Sequence, residues 1–327
     1  MSGAAQAVVI DAGDGSGNTT VDVPTTDNPN DIAREQAFAD VFGHVGALYD
    51  SSNNSSSAVY LGDGWVISAF HNVDANFGAG GVGQVTLGGT TYDPFAGSLH
   101  RLHKPGDEST LTDLALFRIQ GDPGLAPLTI SSATRTNNEE VRMAGNGRDR
   151  QSGKTYWVVT EEPVDPGEPE GETEPVWTET NNQNEADHSG YKTTGSQALR
   201  WGENAISGLN QSVSGDNSST TMAFLTTFND SNTFDYEAQA VRHDSGGGTF
   251  AWTGSEWELA GIMFSVGGFE NQPNPATTAI FGNVTAHGDL SVYAEQINGH
   301  IPEPATLALL GAGTLLLVGR RRAGRGA

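Results

Sequence analysis

The chain has 327 residues, no cysteine and a formal net charge of −24, from 40 acidic against 16 basic residues. It is long enough to bury a core of its own, it cannot form a disulfide, and its charge repels a phosphate backbone, which removes nucleic acid as a partner. The lack of cysteine assigns no compartment, because a large core holds a fold without disulfides.

Residues 1–31 read as a polar arm. The opening MSGAAQAVVIDAGDGSG has no basic start and no apolar stretch long enough for a secretory signal, so either the true start lies upstream of Met1 or SGAAQA is the remnant of a signal. Residues 11–31, rich in Asp, Asn, Gly and Thr, are expected to be solvated. Asp11–Asp22 lacks the alternating oxygen ligands and the central glycine of a calcium loop.

From Phe42 onward short apolar runs recur between turn clusters, among them HVGALYD, SAVYLGDGWVISAF, DLALFRI, EEVRMAGNG, TFAWTG and WELAGIMFSV. Strands this short and numerous, with hardly a helical period between them, predict an all-β barrel or sandwich. One helix is expected in DLSVYAEQIN, where Leu290, Tyr293, Ala294 and Ile297 share a face. Between these runs Glu161–Gly190 is crowded with prolines, acids and asparagines, which predicts a mobile acidic loop. Its carboxylates make a structural calcium conceivable, though their spacing is irregular. No other metal or cofactor is implied.

The far end, IPEPATLALLGAGTLLLVGRRRAGRGA, holds an uncharged Leu-rich run, Ala305–Val318, followed by Arg320, Arg321, Arg322 and Arg325. The run is short for a bilayer span, but flanking arginines snorkel and would stay cytoplasmic, placing the preceding domain outside. Pro302, Glu303 and Pro304, the apolar run and the terminal arginines resemble, in order, the PEP-CTERM sorting signal of Gram-negative bacteria with an exosortase. That resemblance implies export to the cell envelope or beyond, transient anchoring in the inner membrane through residues 300–327, and an exosortase partner.

The stretch RHDSGGGTF poses the chemical question. Three glycines fit a plain turn, but they also fit a tight loop that presents Ser245. Acyl transfer by serine needs a base and a carboxylate to orient it. His71 follows the apolar run Trp65–Phe70 and Asp113 opens DLALFRI. Each has an ordinary role as a strand cap or a turn residue. The order His, Asp, Ser is one of three known orders for such triads.

WVISAFHN, DLALFRI and HDSGGG together resemble the motifs of the trypsin/chymotrypsin family of serine endopeptidases, with VRMAGNG, LAGIMFSVGG and the closing helix falling in matching places. The resemblance implies two six-stranded antiparallel barrels, about 40–135 and 140–290, within a domain spanning 32–299. It implies Ser245 as nucleophile, His71 as general acid and base, and Asp113 as the residue orienting His71. It places the oxyanion donors at the N–H groups of His243 and Ser245, Gln239 at the base of the specificity pocket, and Ser265, Val266 and Gly267 beside the substrate backbone. The substrate would be a protein or peptide. His243 stands where the family has glycine, which leaves open a protease-like barrel that binds without turnover. The family pairs the aspartate before the nucleophile, here Asp244, with a newly freed N-terminus. Ile32 lies at about the right distance, but DIAREQ departs from the expected pattern, so Asp244 pairing with an internal group is the other possibility.

Overall fold

The computed structural model describes residues 8–22, 28–52, 54–73, 77–78, 83–164, 172–215, 218–231 and 233–301. Its strands follow the apolar runs. A seven-stranded antiparallel sheet takes its strands in the spatial order Thr90–Tyr92, Val85–Leu87, Val45–Tyr49, Ser55–Gly62, Trp65–Ala69, Asp107–Arg118 and His100–Lys104. The central strand Trp65–Ala69 is buried along its whole length, which is why it reads as continuous rather than alternating. It pairs with Asp107–Arg118 in the register Trp65 to Arg118 and Ala69 to Leu114.

The second half closes into a six-stranded barrel. Its order is Arg200–Gly215, Ser219–Thr227, Val284–Asp289, Trp257–Gly267, Gly248–Trp252 and Glu140–Gly145. The fold is therefore all-β, as expected, with one closed barrel and one seven-stranded sheet. A single apolar core joins them: Val59, Ile67 and Leu116 from the sheet cluster with Phe250, Trp257 and Ile262 from the barrel. The seam between these halves is where strand ends from both meet.

Helix α2, Leu290–His300, closes the chain as predicted, burying Leu290, Tyr293, Ala294 and Ile297. Asp289 caps it by accepting from the N–H of Ser291 at 3.0 Å. A second helix, α1, Pro29–Phe42, was not expected from the sequence; it contains Ile32 and the end of the polar arm, whose described residues between 11 and 31 are mostly exposed, as expected. The overlooked signals are Asn28 as cap, Pro29 at the first helical position, and Phe38 and Phe42 one turn apart and buried. Arg142 anchors the helix, donating to both carboxylate oxygens of Glu35 at 2.7 Å, with its guanidinium over the rings of Phe38 and Trp201.

Parts of the described arm are held against the domain. Val8, Val9 and Ile10 are fully buried, and Val9–Ile10 pairs with Ala238–Gln239. The carbonyl of Thr20 accepts from the indole of Trp201 at 2.9 Å.

The acidic segment is a further correction. Thr155–Pro163 and Thr173–Thr180 pair residue for residue as an antiparallel hairpin, and His188–Gln197 adds to it. Cross-strand pairs of Val159 with Trp177 and Thr160 with Val176 supply the β-forming side chains, and Trp177, His188 and Phe269 stack at its end. Pro175 is tolerated because Thr173–Thr180 is an edge strand. Residues 165–171 lie outside the described residues. Among those described, no group of three or more His, Asp or Glu is placed to hold a metal.

Candidate active site

His71 sits in a short 3-10 turn, Phe70–Asn72, directly after the buried strand Trp65–Ala69. Asp113 lies on the neighbouring strand and grips it twice: Oδ1 accepts from the His71 backbone N–H at 2.9 Å, and Oδ2 meets Nδ1 at 2.6 Å. The two contacts fix both the position and the rotation of the ring. The Asp113 side chain is only 9% exposed, whereas that of His71 is 33% exposed, so the buried member orients the accessible one. Asp113 is held in turn, its N–H donating to Thr221 Oγ1 of the barrel at 2.9 Å.

Ser245 reaches the same place from the barrel side. The Arg242–Gly247 loop is pinned across the seam: the Ser245 carbonyl accepts from Ser57 N–H at 3.0 Å and from Asn72 Nδ2 at 2.7 Å, and the His243 carbonyl accepts from Ser57 Oγ at 2.9 Å. Ser57 and Asn72 were not singled out from sequence, although Asn72 neighbours His71. Gly246 has φ +89°, and a Cβ there would lie 2.0 Å from the Ser57 carbonyl oxygen. The glycine thus permits the close approach of the loop to the sheet, which a plain exposed turn does not require.

His243 has φ +81°, the left-handed region that a non-glycine side chain rarely adopts. Among the described residues, neither the His243 N–H nor the Ser245 N–H has an acceptor in the protein. The departure from glycine therefore does not prevent the glycine-like conformation. The His243 ring is pushed down to about 4, first by burial and then by the charges of Arg148 and Arg242, so it is neutral at pH 7.

Asp244 faces away from the cleft and is fully buried. Its carboxylate accepts from the N–H groups of Val8 at 3.2 Å, Gly147 at 2.9 Å and Val241 at 2.8 Å. Internal backbone donors, not Ile32, are its partners. Burial raises it to about 7, against the opposing pull of these donors.

A cavity of about 510 Å³ opens on His71 and Ser245, walled by Ala240, Val241, Phe264, Ser265 and Val266, with Arg242 also on its surface. A second, of about 400 Å³, shares His71, Arg242 and Ser245 and is bordered by Asp50 and Asn54. Strand Trp257–Gly267 pairs with Val284–Asp289 as far as Gly267, but its pairing with Gly248–Trp252 ends at Ile262. One edge of Ser265–Gly267 is thereby left beside the cavity. Gln239 is 1% exposed and lies outside the cavity lining, its Nε2 donating to the Thr278 carbonyl at 3.4 Å.

Residues 300–322 match the PEP-CTERM protein-sorting motif. The chain carries an export signal directed to the cell envelope. Pro302, Glu303, Pro304 and the apolar run lie outside the described residues; among the described ones no helix is long and apolar enough to cross a membrane. No curated protein is significantly similar in sequence. Among solved structures the chain is similar to an inactive form of the Ser-to-Ala mutant of Rv3671c from M. tuberculosis H37Rv, at 14% identity and a TM-score of 0.44, covering 86% of this chain and 100% of that one. It is likewise similar to the inactive form of the Rv3671c protease, at 13% identity and a TM-score of 0.44, covering 86% and 98%.

Proposed function

We propose that the chain is an exported serine endopeptidase that hydrolyses peptide bonds through an acyl-enzyme on Ser245. The observation that carries this reading is the doubly bonded His71–Asp113 pair opening on the same cavity as Ser245. A peptide adds as a strand along Ser265–Gly267. Ser245 Oγ attacks the carbonyl carbon as His71 takes its proton, and Asp113 stabilises the resulting imidazolium. The N–H groups of His243 and Ser245 receive the oxyanion. The proton then passes from His71 to the departing amine, and water repeats the sequence on the ester. No hydrogen bond joins Ser245 Oγ to His71 among the described contacts, which is common before substrate orders a site.

The tail fits the same picture. The apolar run anchors the protein transiently in the inner membrane with its arginines on the cytoplasmic side, and an exosortase removes it. Labelling of the purified protein with a fluorophosphonate, with Ser245→Ala as control, tests the enzymatic reading. Absence of labelling in the folded wild-type protein would overturn it.

A further inference from the structure

In a chain this acidic, most of the described cations have a commitment. Arg142 is held by Glu35 and Glu203, Arg135 by Glu139, Lys154 by Asp230, and Lys192 by Glu179. Arg150 is spent on backbone carbonyls, including that of Ile10 at 2.7 Å. Arg118 lies over the rings of Trp65 and Phe95. Among the described residues, the side chains of only Lys104, Arg148 and Arg242 make no ion pair, hydrogen bond or ring contact. Two of these three stand together at the nucleophile: the N–H of Arg148 donates to the carbonyl of Arg242 at 3.1 Å, and both charges act on His243. The Nε of Arg148 is buried without a partner.

Arg242 lies on the surface of both cavities that meet at His71 and Ser245. The two cavities differ in charge. The smaller one is bordered by Asp50, which opposes an anion. The larger has one carboxylate, Asp113, already bonded to His71. Its remaining walls are apolar or neutral, so no carboxylate is available there for a basic side chain, and Gln239 is outside the lining. Ala240, Val241 and Val266 border this space beside Arg242, a setting that matches the chemistry of a short aliphatic stem ending in a carboxylate.

We propose, resting on the endopeptidase reading, that the cleft selects peptides with Glu or Asp on the acyl side of the cut, and that Arg242 holds the substrate carboxylate. A guanidinium suits this role because its planar donors match a carboxylate two at a time. The chain's net charge repels an acidic peptide at long range, so the preference is a contact effect rather than a steering effect. Arg242 is exposed, and solvent keeps the gain modest.

The test uses internally quenched peptides that differ only at the residue before the cut, Glu, Gln, Lys or Leu, with active sites titrated by fluorophosphonate. The wild type is expected to cleave the Glu peptide faster than the Gln peptide by on the order of tenfold in kcat/KM, from one charge-assisted contact. Arg242→Gln should bring that ratio close to one, and Arg242→Glu should favour Lys. A wild type that labels and cleaves without preferring Glu, or a preference that survives Arg242→Gln, overturns the proposal and leaves the endopeptidase reading standing. If the wild type neither labels nor cleaves, that reading fails instead, and the subsite is read from binding of the same peptides to Ser245→Ala by fluorescence anisotropy. Tighter binding of Glu than Gln that disappears in Ser245→Ala/Arg242→Gln supports the proposal; equal binding overturns it.

Discussion

The backbone N–H of Val8 donates to Oδ1 of Asp244 at 3.2 Å, tying the first described residue of the chain to the carboxylate that directly precedes Ser245. Gly147 completes the nest: a Cβ there would lie 2.2 Å from Asp244 Oδ2, so only glycine fits. Above pH 7, where the Asp244 carboxyl is ionised, Asp244→Asn replaces one acceptor oxygen by a donor that faces backbone N–H groups. The expected cost is about 1–3 kcal/mol for the donors left unmatched, with slower labelling of Ser245 because the His243–Ser245 backbone loses its anchor. Urea unfolding and the rate of fluorophosphonate labelling measure the two effects; an unchanged midpoint and rate would show that the nest does not organise the loop.

A chain cut to begin at Val8 places an α-ammonium where that amide stands. In the intact chain the native carboxyl of Asp244 keeps its proton to about pH 7, while the unfolded one loses it near 3.8. Its contribution to stability is therefore full below pH 3.8 and declines as the pH rises towards 7. An ammonium at hydrogen-bond distance holds the carboxylate ionised and removes this decline. The Tm of the shortened chain minus that of the intact chain is expected to grow over this pH interval. Parallel profiles would show that no ion pair forms.

Ser245→Ala and His71→Ala are each expected to lower kcat by on the order of 10⁴-fold or more, with the double variant scarcely worse, because the group acts as a unit. Steady-state hydrolysis of a peptide substrate checks this. Near-wild-type turnover in either single variant removes the residue from the catalytic assignment.

At His243 the φ of +81° makes glycine the conformationally easier residue. His243→Gly is expected to leave kcat unchanged or raise it, while His243→Pro removes the N–H and cannot adopt a positive φ. The loss of one oxyanion donor is worth roughly 10²–10³-fold in kcat. Circular dichroism first establishes that the proline variant folds; a folded proline variant as fast as wild type would show that this N–H does not serve the oxyanion.

His287 is fully buried between Thr226 Oγ1 at 3.0 Å and Thr249 Oγ1 at 2.7 Å, and burial pushes it down to about 3. The unfolded chain binds this proton near pH 6.5, well before the native one does. The contribution of His287 is therefore intact above pH 6.5 and lost as the pH falls towards 3. His287→Gln should be less stable than wild type at neutral pH yet fall less steeply on acidification between these values. Equal slopes in urea unfolding at successive pH values would contradict the assignment.

Sequence by itself determined most of the strands and the linear order of the chemical groups. Runs such as DLALFRI and WELAGIMFSV carry their own signal because burial of both faces selects continuous apolar residues, and the face of α2 is written in the spacing of Leu290, Tyr293, Ala294 and Ile297. The sorting motif is local and was legible for the same reason. Only the tertiary structure decided what depends on contacts between distant segments. Helix α1 is held by Arg142 against Glu35, a partner far away in the chain, so its own weak apolar face gave little warning. The acidic hairpin is stabilised by cross-strand pairing and by Phe269 stacking beside its end, while its composition resembles a solvated loop. Asp244 meets Val8 and Gly147 rather than Ile32 because Val9, pairing with Gln239, brings the early described residues under the loop that carries Ser245. The commitment of most other described cations, which sets Arg242, Arg148 and Lys104 apart, is likewise a property of the folded pairing and not of the charge count.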